Sequence, residues 1–154
     1  MKTISAGSIA PDFTLPDETG TPRALKDFLA KGPVVLFFYP TALSSGCTAE
    51  ACRFRDMAAE FDAVGAQRIG ISGDTVDKQK QFTEAHTFDY PLLSDADLGV
   101  ATAYGVKRRF ITPVKRATFV IDTDGTILHV VTGEWNIDVH PDEALKSLQG
   151  ANTI

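Results

Sequence analysis

The stretch Val34-Val35-Leu36-Phe37-Phe38-Tyr39 constrains this chain more than any other. It is continuously apolar, rich in β-branched and aromatic residues, preceded by Gly32-Pro33 and closed by Pro40. It is far too short to cross a membrane or to serve as a signal core. It also lacks the alternation of a strand with one wet face, so it reads as a central strand covered on both sides. Such a strand demands layers above and below, and the rest of the chain supplies them. Phe13–Leu15 and Thr21–Leu25 flank the turn residues Asp17-Glu18-Thr19-Gly20 and predict an N-terminal hairpin, followed by a short helix to Ala30. Residues 47–63 predict one helix with Cys47, Ala51, Phe54, Ala58 and Phe61 on a single stripe, stopped by Gly65. Arg68–Ser72 is the next strand. A helix capped by Asp74 or Thr75 then runs to about His86, its weak stripe being Val76, Phe82 and Ala85. Pro91–Leu93 is extended, and a short helix opened by Asp95 or Asp97 reaches Tyr104. Thr118–Ile121 and Thr126–Val131 form a hairpin around Asp122-Thr123-Asp124-Gly125. Pro141 sits in the first turn of a last helix that turns Ala144, Leu145 and Leu148 inward. The alternation predicts a mixed α/β sandwich compatible with a thioredoxin-like layout plus an N-terminal β-hairpin extension, although other small α/β folds fit the same pattern.

With 154 residues and no repeat or linker, the expectation is a single domain over residues 1–154. A formal charge of −5 argues against nucleic acid as the main partner. No segment is a membrane span, so the chain is read as soluble and cytoplasmic. Two cysteines are too few for a secreted disulfide scaffold or a four-Cys zinc site. They are, however, only five positions apart, at Cys47 and Cys52.

Cys47 stands where a buried strand has run through a loop of small residues into a helix start. Unpaired N–H groups and the positive end of the helix dipole favour a thiolate there, and a thiolate is the reactive form. Ser44, three residues earlier, is near enough for its hydroxyl to reach the sulfur or an oxygen bound beside it, and Gly46 permits close approach of the backbone. The competing reading makes Cys47 a small core residue on the helix stripe. Cys52 lies about 150° from the centre of that stripe and is expected off the core face. On an intact helix the two Cα atoms are ~8.6 Å apart, beyond the roughly 7 Å that a disulfide spans. A Cys47–Cys52 bond therefore requires the helix start to unwind. Among the basic residues Lys107, Arg108, Arg109, Lys115 and Arg116, the functional reading needs one to reach Cys47, and Arg116, at the entry to a strand, is the best placed. The alternative is a solvated loop. His86, His129 and His140 lack metal-ligand spacing and are assigned to surface or capping positions. No nucleophile elbow and no phosphate-cradling glycine loop occur.

The segment from Phe37-Phe38-Tyr39-Pro40 to Cys47-Thr48-Ala49-Glu50-Ala51-Cys52-Arg53-Phe54-Arg55-Asp56 resembles the active-site segment of the peroxiredoxins, most of all the peroxiredoxin Q or bacterioferritin comigratory protein group. Ala10–Leu15, Tyr90–Asp95, Tyr104–Val106 and Arg116–Asp122 are similar to later landmarks of that family, so the likeness extends over nearly the whole chain. The family pattern Pro-x-x-x-Thr/Ser-x-x-Cys falls on Pro40, Ser44 and Cys47, and its distant arginine on Arg116. The resemblance implies a peroxiredoxin-type thioredoxin fold and a thiol peroxidase with Cys47 as peroxidatic and Cys52 as resolving cysteine. It further implies recycling by thioredoxin or a similar dithiol, and no metal or organic cofactor. Intramolecular resolution makes a monomer sufficient. One departure stands out: the usual Thr-Pro-Gly-Cys reads Ser44-Ser45-Gly46-Cys47, which keeps the hydroxyl but loses a stiffening proline. Two other readings of the same residues are a one-cysteine peroxidase with Cys52 a bystander, and a redox sensor that signals to a protein partner. The absence of C-x-x-C weighs against ordinary disulfide exchange.

Overall fold

β3 (Val34–Phe38) is buried at every position in the computed structural model, which describes residues 2–134 and 136–151. Its side chains split with period two. Val34, Leu36 and Phe38 enter one apolar cluster, while Val35, Phe37 and Tyr39 enter the other. Among the described residues the strands around it form a five-stranded sheet in the order β5-β4-β3-β6-β7. β4 (Gln67–Ser72) and β5 (Leu92–Ser94) join in parallel on one side. β6 (Ala117–Ile121) and β7 (Ile127–Thr132) add antiparallel on the other. The separate hairpin of β1 (Thr14–Pro16) and β2 (Pro22–Ala24) precedes them. Asp17 closes its turn by accepting from the backbone N–H groups of Thr19 and Thr21.

Helices α1 (Leu25–Leu29) and α5 (Gly99–Ala103) contribute Leu25, Phe28 and Ala101 to the first cluster. Helices α2 (Ser45–Asp56), α3 (Ala58–Ala63), α4 (Val76–His86) and α6 (Val139–Ala151) contribute to the second, through Phe54, Phe61, Phe82, Ala144 and Leu148. Each large side chain among them is worth roughly 1.5–3 kcal/mol when buried. Phe37 stacks on Phe54 with ring centroids 4.2 Å apart, which ties the central strand to α2. Gly70 of β4 allows this density, since a Cβ there would lie 2.7 Å from Leu92 Cδ2 and 3.0 Å from the Phe37 ring.

The sheet, the hairpins and the helix order match expectation, and three details differ. The helix expected over 47–63 starts earlier, at Ser45, and breaks at Met57, which has φ −99° and ψ 21°. The apolar stripe accordingly passes from Phe54 to the buried Met57 and then Phe61, leaving Ala58 only half-buried. In α4 the buried partner of Phe82 is the polar Gln79, whose amide donates to Ser72 Oγ and the Leu93 carbonyl and accepts from Tyr39 Oη. Ala85, assigned to the stripe, is exposed. His140, assigned to the surface or a cap, is fully buried at the start of α6. Among the described residues no helix is long and apolar enough to cross a membrane.

Candidate active site

The strand register brings distant residues together. Phe38 pairs with Ala117 where β3 leaves the sheet and β6 enters it. Arg116, one residue before Ala117, therefore stands beside the loop that carries Pro40 into α2. Alternation along β6 then turns Arg116, Thr118 and Val120 toward α2 and α6, away from Ala117 and Phe119.

Pro40, Thr41, Ser44, Gly46, Cys47, Arg108, Ile111, Thr112, Arg116 and Glu134 line one cavity of about 510 Å³. Pro40, Ser44, Cys47 and Arg116, all singled out from sequence, thus share it; Cys52 does not. Cys47 is the third residue of α2, so it sits on the turn whose backbone N–H groups lack helical acceptors. It is 2% exposed. Arg116 Nη2 donates to Cys47 Sγ at 3.4 Å, and Nη1 donates to Glu50 Oε1 at 2.7 Å. The guanidinium is itself buried and further placed by Glu134. Oε1 of Glu134 accepts the Arg116 backbone N–H and the side chain of Arg108 at 2.9 Å, and its Oε2 lies 4.0 Å from Arg116 Nε. A Cβ at Gly46 would sit 3.4 Å from Arg116 Nη2, so the guanidinium lies directly against this first turn. The Ser44 hydroxyl lines the cavity but donates to the Thr41 carbonyl at 2.9 Å, and it makes no capping bond to α2.

Cys52 is half-buried and packs against the second apolar cluster. The expectation that it stands off the core face therefore holds only in part. The helix runs unbroken through Cys52, and its burial comes from neighbouring elements that close on this part of α2. Tyr90 Oη donates to the Ala51 carbonyl at 2.7 Å, and Arg68 Nη1 donates to the Phe54 carbonyl at 2.9 Å. Both cysteines are free.

Sequence reasoning missed Glu50, Glu134 and the His140–Thr118 pair. Glu50 carried a readable signal. It lies one turn after Cys47 on the same face, where a buried carboxylate needs a cation. Burial drives its carboxyl up to about 7, against the opposing pull of Arg116. His140 Nδ1 is 2.8 Å from Thr118 Oγ1, and Nε2 is 2.9 Å from the Gly133 carbonyl. Burial holds this imidazole below its ordinary pKa. The basic cluster divides: Arg116 is interior and Arg108 is paired, while Phe110 and Ile111 at the loop tip are exposed. Among the described residues no His/Cys/Asp/Glu group could hold a metal ion.

Residues 6–130 match the model of the AhpC/TSA family. A relative from Mycobacterium tuberculosis that carries a peroxiredoxin name is 56% identical over 149 residues, covering 95% of this chain and 97% of the relative. The chloroplastic peroxiredoxin Q of Gentiana triflora is 40% identical over 149 residues, covering 96% of this chain and 68% of that protein. Among solved structures, the peroxidoxin BcpB of Mycobacterium tuberculosis superposes with a TM-score of 0.94 at 54% identity, covering 97% of this chain and 99% of that one. A sheet of this order, an arginine on a cysteine at a helix start and these relatives agree: the chain belongs to the AhpC/TSA family, as a peroxiredoxin of thioredoxin-like fold that reduces peroxides with thiols.

Proposed function

We propose that Cys47 is the peroxidatic cysteine of a peroxidase acting on hydrogen peroxide and organic hydroperoxides, and that Cys52 resolves it. The observation that carries this reading is the Arg116 guanidinium at 3.4 Å from Cys47 Sγ beside an open cavity. The thiolate attacks the nearer peroxide oxygen in line with the O–O bond. An S–O bond forms, the O–O bond breaks, and the leaving oxygen takes the electron pair and then a proton to become water or an alcohol. Arg116 and the Cys47 backbone N–H stabilise the charge on that oxygen, joined by the Ser44 hydroxyl once it turns away from the Thr41 carbonyl, while Pro40 walls the cavity. The Ile111 side of the cavity suits the carbon chain of an organic hydroperoxide.

The start of α2 then unwinds, and the Cys52 thiol attacks the Cys47 sulfenic acid: the S–S bond forms, the S–O bond breaks, and the departing hydroxide takes the thiol's proton to become water. A dithiol such as thioredoxin restores both thiols by exchange and leaves oxidised itself. A reducing, cytoplasmic setting suits two free thiols, and resolution within one chain needs no second subunit.

Stopped-flow reaction with several peroxides, with mass spectrometry of the trapped product, tests the assignment. Sulfenic acid is expected on Cys47 in Cys52→Ser, and a Cys47–Cys52 disulfide in the wild type. Oxidation first at Cys52 would overturn the assignment. Unchanged thioredoxin-driven turnover in Cys52→Ser would favour the one-cysteine enzyme.

A further inference from the structure

Glu50 Oε2 and Arg116 Nε are buried polar atoms without a hydrogen-bond partner among the described residues. Behind Glu50, His140 Nδ1 lies 3.7 Å from that orphaned Oε2. The Gly133 carbonyl can only accept, so Nε2 carries a hydrogen, and in neutral imidazole Nδ1 is then an acceptor that the Thr118 hydroxyl serves. An ionised Glu50 would set its lone pairs against that of Nδ1, both fully buried. A single proton relieves this, either as carboxylic acid on Oε2 or as imidazolium on Nδ1. Either way the pair is neutral.

We propose that His140 is a positioning residue that shares one proton with Glu50, so that the charge of Arg116 is left to Cys47 and to the oxygen leaving the peroxide. Without that proton the pair carries one negative charge, draws Arg116 through Nη1, and opposes the negative charge developing at the cavity. The other groups facing the pair fit this. From β6 come Arg116 and the neutral Thr118, and from α2 comes Cys47 itself. Tyr90, just before β5, is kept neutral by burial. After β7 comes Glu134, held by Arg108; on α6 itself Asp142 is paired with Arg53 and Glu143 with His129. Burial, which raises Glu50 and lowers His140, favours the proton on the carboxyl. This role rests on Cys47 as the reacting sulfur.

The test is the stopped-flow rate with hydrogen peroxide from about pH 5 to about pH 9.5, for wild type, Glu50→Gln and His140→Asn. The wild-type rate is expected to fall on the alkaline side. Glu50→Gln, neutral throughout, should lose that fall. His140→Asn places an amide donor near Oε2, favours ionised Glu50, and should move the fall about one unit toward acid. A His140→Asn profile superimposable on wild type, with only a lower Tm, would reduce His140 to packing and overturn the proposal. Nitrogen NMR of wild-type His140 decides the matter even if that variant does not fold. A proton on Nε2, with Nδ1 responding in the pH window of the rate change, is expected, whereas a neutral ring protonated on Nδ1 alone would contradict it. Peroxide reactivity surviving Cys47→Ser would instead defeat the reading of Cys47, and the NMR result would stand apart from it.

Discussion

The two ends of α2 hold one cysteine each and are built differently. At the Cys47 end the helix begins on Ser44, whose hydroxyl bonds Thr41 instead of capping, and the first turn contains Gly46 and no acidic residue. Such a turn is weakly held. At the Cys52 end, Tyr90 and Arg68 grip the carbonyls of Ala51 and Phe54, and Phe54 stacks on the central strand. In the proposed two-cysteine cycle this difference lets one helix serve two steps: its loose end offers a thiol to the cavity, and its fixed end holds the second thiol still. Unwinding at the start of α2 would relieve the ~8.6 Å separation that forbids a disulfide on the intact helix.

The largest expected effect comes from removing the cation at the loose end. Arg116→Met should lower the peroxide rate constant by about 10²–10³, the usual loss for one donor to a developing oxyanion, and should leave Glu50 without its partner. A rate within a few-fold of wild type in stopped flow would detach Arg116 from the chemistry.

Next is a stability effect with a definite sign. Glu50 has its carboxyl raised from 4.5 to about 7, so the folded state holds the proton more tightly than the unfolded chain does. Its contribution is fully present below about pH 4.5 and is lost as pH rises to about 7, an effect of at most about 3 kcal/mol. His140, lowered by burial, acts oppositely over the acid side of its ordinary range. Glu50→Gln should therefore gain stability relative to wild type between those pH values in denaturant titrations, and a constant difference would contradict the assignment.

The smallest effect is expected at the fixed end. Tyr90→Phe frees the Ala51 carbonyl and should cost about 1 kcal/mol in denaturant unfolding. By loosening the grip it should alter the rate of disulfide formation after oxidation more than the rate of the peroxide step. Equal changes in both steps would blur the distinction between the two ends.

Much of this was legible in the residues. Val34–Tyr39 announced a strand buried on both faces, and small residues running into Cys47 announced a helix start. What was not legible depended on packing across the sheet. The break at Met57 leaves no Gly or Pro signal. Gln79 is buried because Tyr39, Ser72 and Leu93 satisfy its amide, and no periodicity within α4 reveals that. His140 is interior because Thr118 and Gly133, outside its own helix, bind both ring nitrogens. Arg116 was marked out from Arg108 and Lys115 by its place at the entry to a strand and by the family pattern, whereas its bonds to Cys47 and Glu50 depend on packing across the sheet.

Hydrogen exchange along α2 in the reduced and the peroxide-oxidised protein tests the central claim most directly. With a Cys47–Cys52 disulfide formed, residues 45–50 should lose protection while residues 53–56 keep it. Full helical protection from residue 47 to residue 55 in the oxidised protein would contradict the account, because the bond cannot close on an intact helix.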